Sequence, residues 1–159
     1  MRALLLAVVA SAVAAGPAGA AVFFETPSHN IGCALSASGA RCDIREHSWK
    51  PPPKPRSCPV DWGFGLTVER RGFGRWVCAG DTVFGGKKVL DYRQSIKRGS
   101  ITCTSYRNGM RCVNESNEHG FKLARSFARW AARWHCCLPS FDDVHERPDC
   151  ARSSRCALD

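Results

Sequence analysis

Cysteine and histidine are the residues of this 159-residue chain best equipped for chemistry, with ten of the first and five of the second. His119, in Asn117-Glu-His-Gly-Phe121, is the best placed to act as a general base, and Asp81, in Ala79-Gly-Asp-Thr82, is the most isolated carboxylate. A hydrolase using His119 needs a second polar side chain within hydrogen-bond reach of the ring. Neither residue has a sequence neighbour of the kind that a triad, a metal site or a carboxylate pair employs. His119 is therefore expected to order a loop and Asp81 to cap a turn through its side-chain oxygen. The chain reads as a non-enzyme without a cofactor. His135, Cys136, Cys137, His145, Cys150 and Cys156 have the ligand types for zinc. Their spacing fits no finger or ribbon, so no metal site is expected.

The remaining cysteines have a structural pattern. Ile31-Gly-Cys33 followed by Gly39-Ala-Arg41-Cys42 is echoed by Ile101-Thr-Cys103 followed by Gly109-Met-Arg111-Cys112. Both copies suit a tight hairpin stapled across its own strands, with Ser38-Gly39 and Asn108-Gly109 as turn residues that tolerate positive φ, or with the glycine as a bulge. Locality pairs Cys33 with Cys42, Cys58 with Cys78 and Cys103 with Cys112, although six cysteines allow many other connectivities. Each bond is worth about 2 to 4 kcal/mol, a large part of the roughly 5 to 15 kcal/mol that stabilises a domain.

The start of the chain says where such bonds can form. Met1-Arg2, an apolar run from Ala3 to Ala15, a Gly16-Pro17 break and Ala18-Gly19-Ala20 make a signal peptide cleaved after Ala20. Its apolar core is shorter than the roughly 20 residues that span a bilayer. No later stretch is apolar enough to span, so the exported protein is expected in the periplasm or outside the cell. All ten cysteines lie in the exported part, where disulfides are the default.

Between the hairpins, Trp49-Lys-Pro-Pro-Pro-Lys-Pro-Arg-Ser-Cys58 has too many prolines for a helix or a central strand. It reads as an extended strap packed across the domain rather than as a ligand for proline-recognition modules, with Trp49 beneath it. Val60, Trp62, Phe64, Leu66 and Val68 alternate with small or polar residues, which predicts a strand with one face in the core. Arg70-Arg-Gly-Phe-Gly74 reads as a turn, and Arg75 to Cys78 as the returning strand. Arg71-Gly-Phe-Gly-Arg-Trp-Val77 has the outline of an RNA-recognition strand, but arginine stands where that motif stacks an aromatic, so no intracellular nucleic acid is expected. Short strands separated by glycine-rich turns continue to the second hairpin. The expected fold is all-β, a small disulfide-stapled barrel or sandwich of about six to eight strands over residues 21–125.

Charge is the one property that suggests a partner. Residues 21–125 carry 17 basic and 9 acidic side chains, whereas residues 126–159 carry 5 of each. Arg70, Arg71, Arg75, Lys87, Lys88, Lys97 and Arg98 fall in expected turns. Gathered at one end of the domain they would form a basic rim for an anionic polymer or a lipid surface; dispersed, they are solvated charges that maintain solubility. The most direct functional expectation is a non-catalytic binding or structural domain.

Phe24-Glu-Thr-Pro-Ser-His-Asn-Ile-Gly-Cys33, Arg41-Cys42-Asp-Ile44, Cys78-Ala-Gly-Asp-Thr82, Gly99-Ser-Ile-Thr-Cys103 and His119-Gly-Phe121 together resemble the signature of a family of small secreted bacterial proteins known only as a domain of unknown function. The resemblance implies a secreted, cysteine-paired domain and brings no catalytic residues with it. Under it, the glycosylation-like Asn114-Glu-Ser116 is a polar turn. It ends near Leu123-Ala-Arg125, after which the chain continues for 34 residues. Phe127, Trp130 and Trp134 recur at helical spacing, with Arg125, Arg129 and Arg133 four apart, which predicts a short helix over residues 126–135. The tail as a whole, with Cys136, Cys137, Cys150 and Cys156, is expected to be an extension or the product of a shifted reading frame.

Overall fold

The two stapled hairpins form the centre of the molecule. The computed structural model describes residues 19–132. The signal peptide's core, the tail cysteines and the end of the expected helix lie outside those residues. In the first hairpin, β2 (Ile31–Leu35) pairs with β3 (Gly39–Ile44), with Cys33 opposite Cys42. In the second, β8 (Ile101–Tyr106) pairs with β9 (Gly109–Asn114), with Cys103 opposite Cys112. Both cysteine pairs are disulfide-bonded, and Cys58 is bonded to Cys78. The turns centre on Ala37-Ser38 and Arg107-Asn108, one residue earlier than expected. Gly109 follows its turn with φ 133°, where its absent Cβ would lie 2.2 Å from the Leu123 carbonyl oxygen.

Each hairpin is the middle of a five-strand antiparallel meander. The first adds β1 (Val22–Glu25), β4 (Trp62–Glu69) and β5 (Arg75–Cys78); the second adds β7 (Ser95–Arg98), β10 (His119–Leu123) and β11 (Ala128–Ala132). The two-residue β6 (Lys88–Val89) pairs in parallel with β1 at the edge of the first sheet. The described residues form an all-β sandwich of eleven strands in two sheets, ordered β5-β4-β3-β2-β1-β6 and β11-β10-β9-β8-β7. The described residues contain no helix, hence none long and apolar enough to cross a membrane.

The repeat extends to single residues. Phe24, Cys33, Cys42, Leu66 and Trp76 stand opposite one another across the first sheet. Ile96, Cys103, Cys112, Phe121 and Trp130 do the same across the second. Period-2 alternation turns both rows inward, and all but the edge tryptophans are buried. The rows meet at their equivalent atoms, Cys42 Sγ and Cys112 Sγ, 3.8 Å apart. Both sulfurs are already bonded, so this is packing contact at the midpoint of the core. Topology and register thus relate the meanders by an approximate two-fold axis running along the rows.

Three expectations need correction. The domain does not end at residue 125: β11 pairs with β10 from Leu123↔Ala128 to His119↔Ala132, so residues 128–132 form a strand and not a helix. Tertiary pairing with the free edge of β10 overrides the helical spacing of the aromatics. The described residues hold eleven strands because β1, β6, β7 and β11 are short or polar enough to escape the alternation rule. The strand expected from Val60 begins at Trp62 and is interrupted by a bulge, with Gly63 at φ 82° against Pro51; Val60 is exposed. The proline-rich strap crosses there and is tied by Trp62 Nε1 donating to the Pro52 carbonyl. Trp49 packs on the core and donates its Nε1 to the Ala124 carbonyl, closing the side of the sandwich next to Trp76.

Candidate functional site

The signature segments build one device on the outer face of the first sheet. Gly32 leaves room for the Phe84 ring, which a Cβ there would meet at 2.6 Å. Asp43, fully buried, accepts from the Val83 N–H at 3.0 Å and from Arg41. Asp81 pairs with the same arginine at 2.9 Å, and Glu25 accepts from the Gly85 N–H. Residues 79–86 are thereby strapped across β1 to β3. Asp81 consequently does not cap a turn as expected; it anchors this strap. Desolvation raises the Asp43 carboxyl's pKa above its ordinary value despite Arg41, whereas the hydrogen bond from Arg41 lowers that of Asp81. Desolvation pulls the Arg41 guanidinium down, but its hydrogen bonds to the two aspartates outweigh that and the net shift is upward.

His119 reaches the β4–β5 turn. Its Nδ1 is 2.6 Å from the Gly72 carbonyl, which fixes that nitrogen as the donor, and its ring stacks on Phe73 with centroids 4.4 Å apart. A carbonyl and a phenyl ring make the imidazole a loop-ordering group. Among the described residues no group of three or more His, Cys, Asp or Glu could hold a metal ion. Asn114 is fully buried, donating to the Arg70 carbonyl at 2.8 Å and accepting from Ser116, so it serves as a turn residue with no room for a glycan.

The seven turn cations divide. Arg70, Arg71 and Arg75 in and beside the β4–β5 turn, and Lys97 and Arg98 beside the β7–β8 turn, share one end of the sandwich: the Arg70 N–H donates to the Ser38 carbonyl, and Gly99 packs on Ala37. Arg75 pairs there with Glu69, and Lys97 with Glu115. Lys87 and Lys88 lie instead at the β6 edge, five strands from β5 and so about 24 Å away. The rim is therefore partial and partly neutralised.

A cleft of about 710 Å³ lies at the other end. Its wall from the first meander is the Thr-Pro-Ser-His-Asn signature between β1 and β2. Thr26 is buried and closes the turn with Ile31, His29 takes φ 54°, and Asn30 exchanges hydrogen bonds with the Glu46 backbone in the β3–β4 connection. Below it, Glu25 accepts from His29 Nδ1 at 3.0 Å. Desolvation raises the Glu25 pKa, but the Gly85 N–H, His29 and Arg45 outweigh it and hold the carboxyl below its ordinary value. Arg45 is fixed by the His29 carbonyl and by the Phe84 ring, 3.9 Å below its guanidinium. The second meander contributes Tyr92, Tyr106, Arg107 and Arg125. Arg125 pairs with Glu46 at 2.9 Å. Arg107 lies 5.2 Å over the Tyr92 ring and has no carboxylate partner among the described residues.

None of these cleft residues was a sequence candidate. The available signal was a pair of tyrosines, Tyr92 and Tyr106, each followed directly by an arginine. Chemically, the cleft offers guanidinium donors, aromatic faces, hydroxyls and amides, with the lining Glu46 carboxylate taken up by Arg125. His29 has a carboxylate to orient it, but the neighbouring Thr26 and Ser28 hydroxyls bond each other at 3.1 Å. No curated protein and no solved structure matches the chain. Residues 3–130 match DUF6636, a family of unknown function, and the match runs past Arg125 to end at Trp130, inside β11. The chain, a disulfide-stapled sandwich of two repeated meanders, belongs to that family of unknown function.

Proposed function

We propose that the protein is a non-catalytic binding domain of an oxidising compartment outside the cytoplasm, and that its loop-end cleft takes a small acidic saccharide. One observation carries this reading: three arginines and two tyrosines from both meanders converge on a single cleft, and one of those arginines has no carboxylate partner among the described residues. The volume falls within the roughly 300 to 1,000 Å³ of small-molecule sites. A guanidinium fork matches a carboxylate or sulfate in two-point geometry, and a tyrosine gives a sugar ring an apolar face with a hydroxyl at its edge. The three disulfides among the described residues and the signal-like start of the sequence fit the compartment.

Calorimetric titration of the full exported chain with digalacturonate, a heparin-derived disaccharide and neutral maltose tests the reading. The acidic sugars are expected to bind, more weakly as salt rises, and maltose is not. Equal affinity for neutral and acidic sugars, or no binding of either, would overturn it.

A further inference from the structure

The β4–β5 turn, at the end opposite the cleft, and the edge strand β11 beside it carry a surface of different character. Phe73 sits at the tip of the β4–β5 turn and is 55% exposed, and Trp130 on β11 is 48% exposed. They belong to one patch: Gly74, next to Phe73, lies so close to β11 that a Cβ there would be 2.6 Å from Trp130 Cβ. Arg70 and Arg71 flank the tip and have no carboxylate partner among the described residues, whereas Arg75 is taken by Glu69.

Two comparisons separate this patch from ordinary surface. Trp76 holds the equivalent position in the other meander and is covered by Trp49, with ring centroids 5.3 Å apart; Trp130 remains half exposed. The turn that presents Phe73 is also held from several sides, through the Gly72 carbonyl on His119, the Arg70 carbonyl on Asn114 and the Arg70 N–H on Ser38. An aromatic ring held outward on a braced turn loses little conformational freedom when it docks.

We infer that this face docks the protein on an anionic lipid surface. Phe73 and Trp130 enter the headgroup region while Arg70 and Arg71 meet the phosphates. Charge complementarity selects the partner, and the aromatics select its kind. A soluble polyanion needs only the cations and leaves the exposed faces of both rings uncovered, whereas a membrane interface accommodates cations and rings together. The inference is independent of the cleft and its ligand.

Co-sedimentation of the full chain with phosphatidylcholine vesicles, with and without phosphatidylglycerol, tests it. Binding is expected only on the anionic vesicles. Arg70→Gln with Arg71→Gln is expected to lower the partition coefficient about thirtyfold, since each basic side chain near an anionic surface contributes about fivefold and the two factors multiply. Phe73→Ser and Trp130→Ser should each lower it severalfold. Phe73→Trp should retain it, which separates lost insertion from a damaged turn. Absence of binding to anionic vesicles overturns the inference. So does binding that survives both serine variants but disappears with the arginines and is matched by heparin, because the face would then be a polyanion surface.

Discussion

The two ends of the sandwich are built from equivalent parts and have opposite characters. Because the meanders are related by an axis along their strand rows, the β2–β3 turn of the first lies at one end and its counterpart, the β8–β9 turn, at the other. Each end thus receives two connections from each repeat. What differs is their length and content. The cleft end has the connection from Arg45 to Asp61, whose counterpart between β9 and β10 spans only Glu115 to Glu118. Long loops leave a concavity with arginines and tyrosines in its walls; short turns leave a convex tip with a phenylalanine on it. A duplicated scaffold fixes the frame, and the loops decide what each end can touch.

The largest effect should come from the frame itself. Replacing Cys103 and Cys112 with alanine is expected to lower unfolding free energy by about 2 to 4 kcal/mol, and the Cys33–Cys42 pair by a similar amount, measured by denaturant titration. A large inequality would break the equivalence of the repeats. Next, Arg107→Ala should weaken acidic-saccharide binding about tenfold or more, from losing a charged hydrogen-bonding partner worth about 1.5 to 3 kcal/mol, while leaving vesicle binding intact. Gly74→Ala should act at the other end only, costing about 1 to 3 kcal/mol because its Cβ would meet Trp130 and the Gly120 carbonyl. Glu25 gives a smaller effect, dependent on pH. Its folded pKa lies below the ordinary 4.5, so its contribution is present above that value and is lost as pH falls through the folded pKa. Glu25→Gln should therefore flatten the decline of thermal stability below about pH 4.5, where Asp81 and Glu115 contribute with the same sign and Asp43 with the opposite. Smallest of all, Lys87→Ala with Lys88→Ala should change neither saccharide nor vesicle binding, since both lie on the β6 edge away from the two ends.

The fold was legible where local chemistry fixes it. Paired cysteines with eight residues between them and a turn residue near the middle suit a tight hairpin, so both staples could be read from locality, which also gave Cys58 with Cys78. Strand β11 was not legible, because Phe127, Trp130 and Trp134 also satisfy a helical period and only the open edge of β10 decides between the two. The cleft was hidden for a different reason. Arg45, Tyr92, Arg107 and Arg125 are scattered over 81 residues, and nothing local shows that the repeats meet head to tail and so bring unlike turns to one end. His119 was singled out as a side chain, but its role is set by the Gly72 carbonyl 47 residues away.

The separation of the two ends is tested most directly by amide chemical-shift mapping of the full chain, titrated first with digalacturonate and then with phosphatidylglycerol-containing bicelles. The account predicts that the sugar shifts the amides around Arg45, Arg107 and Arg125, and that the bicelles shift those from Arg70 to Gly74 and around Trp130, with no overlap. Both ligands perturbing the same end would contradict it.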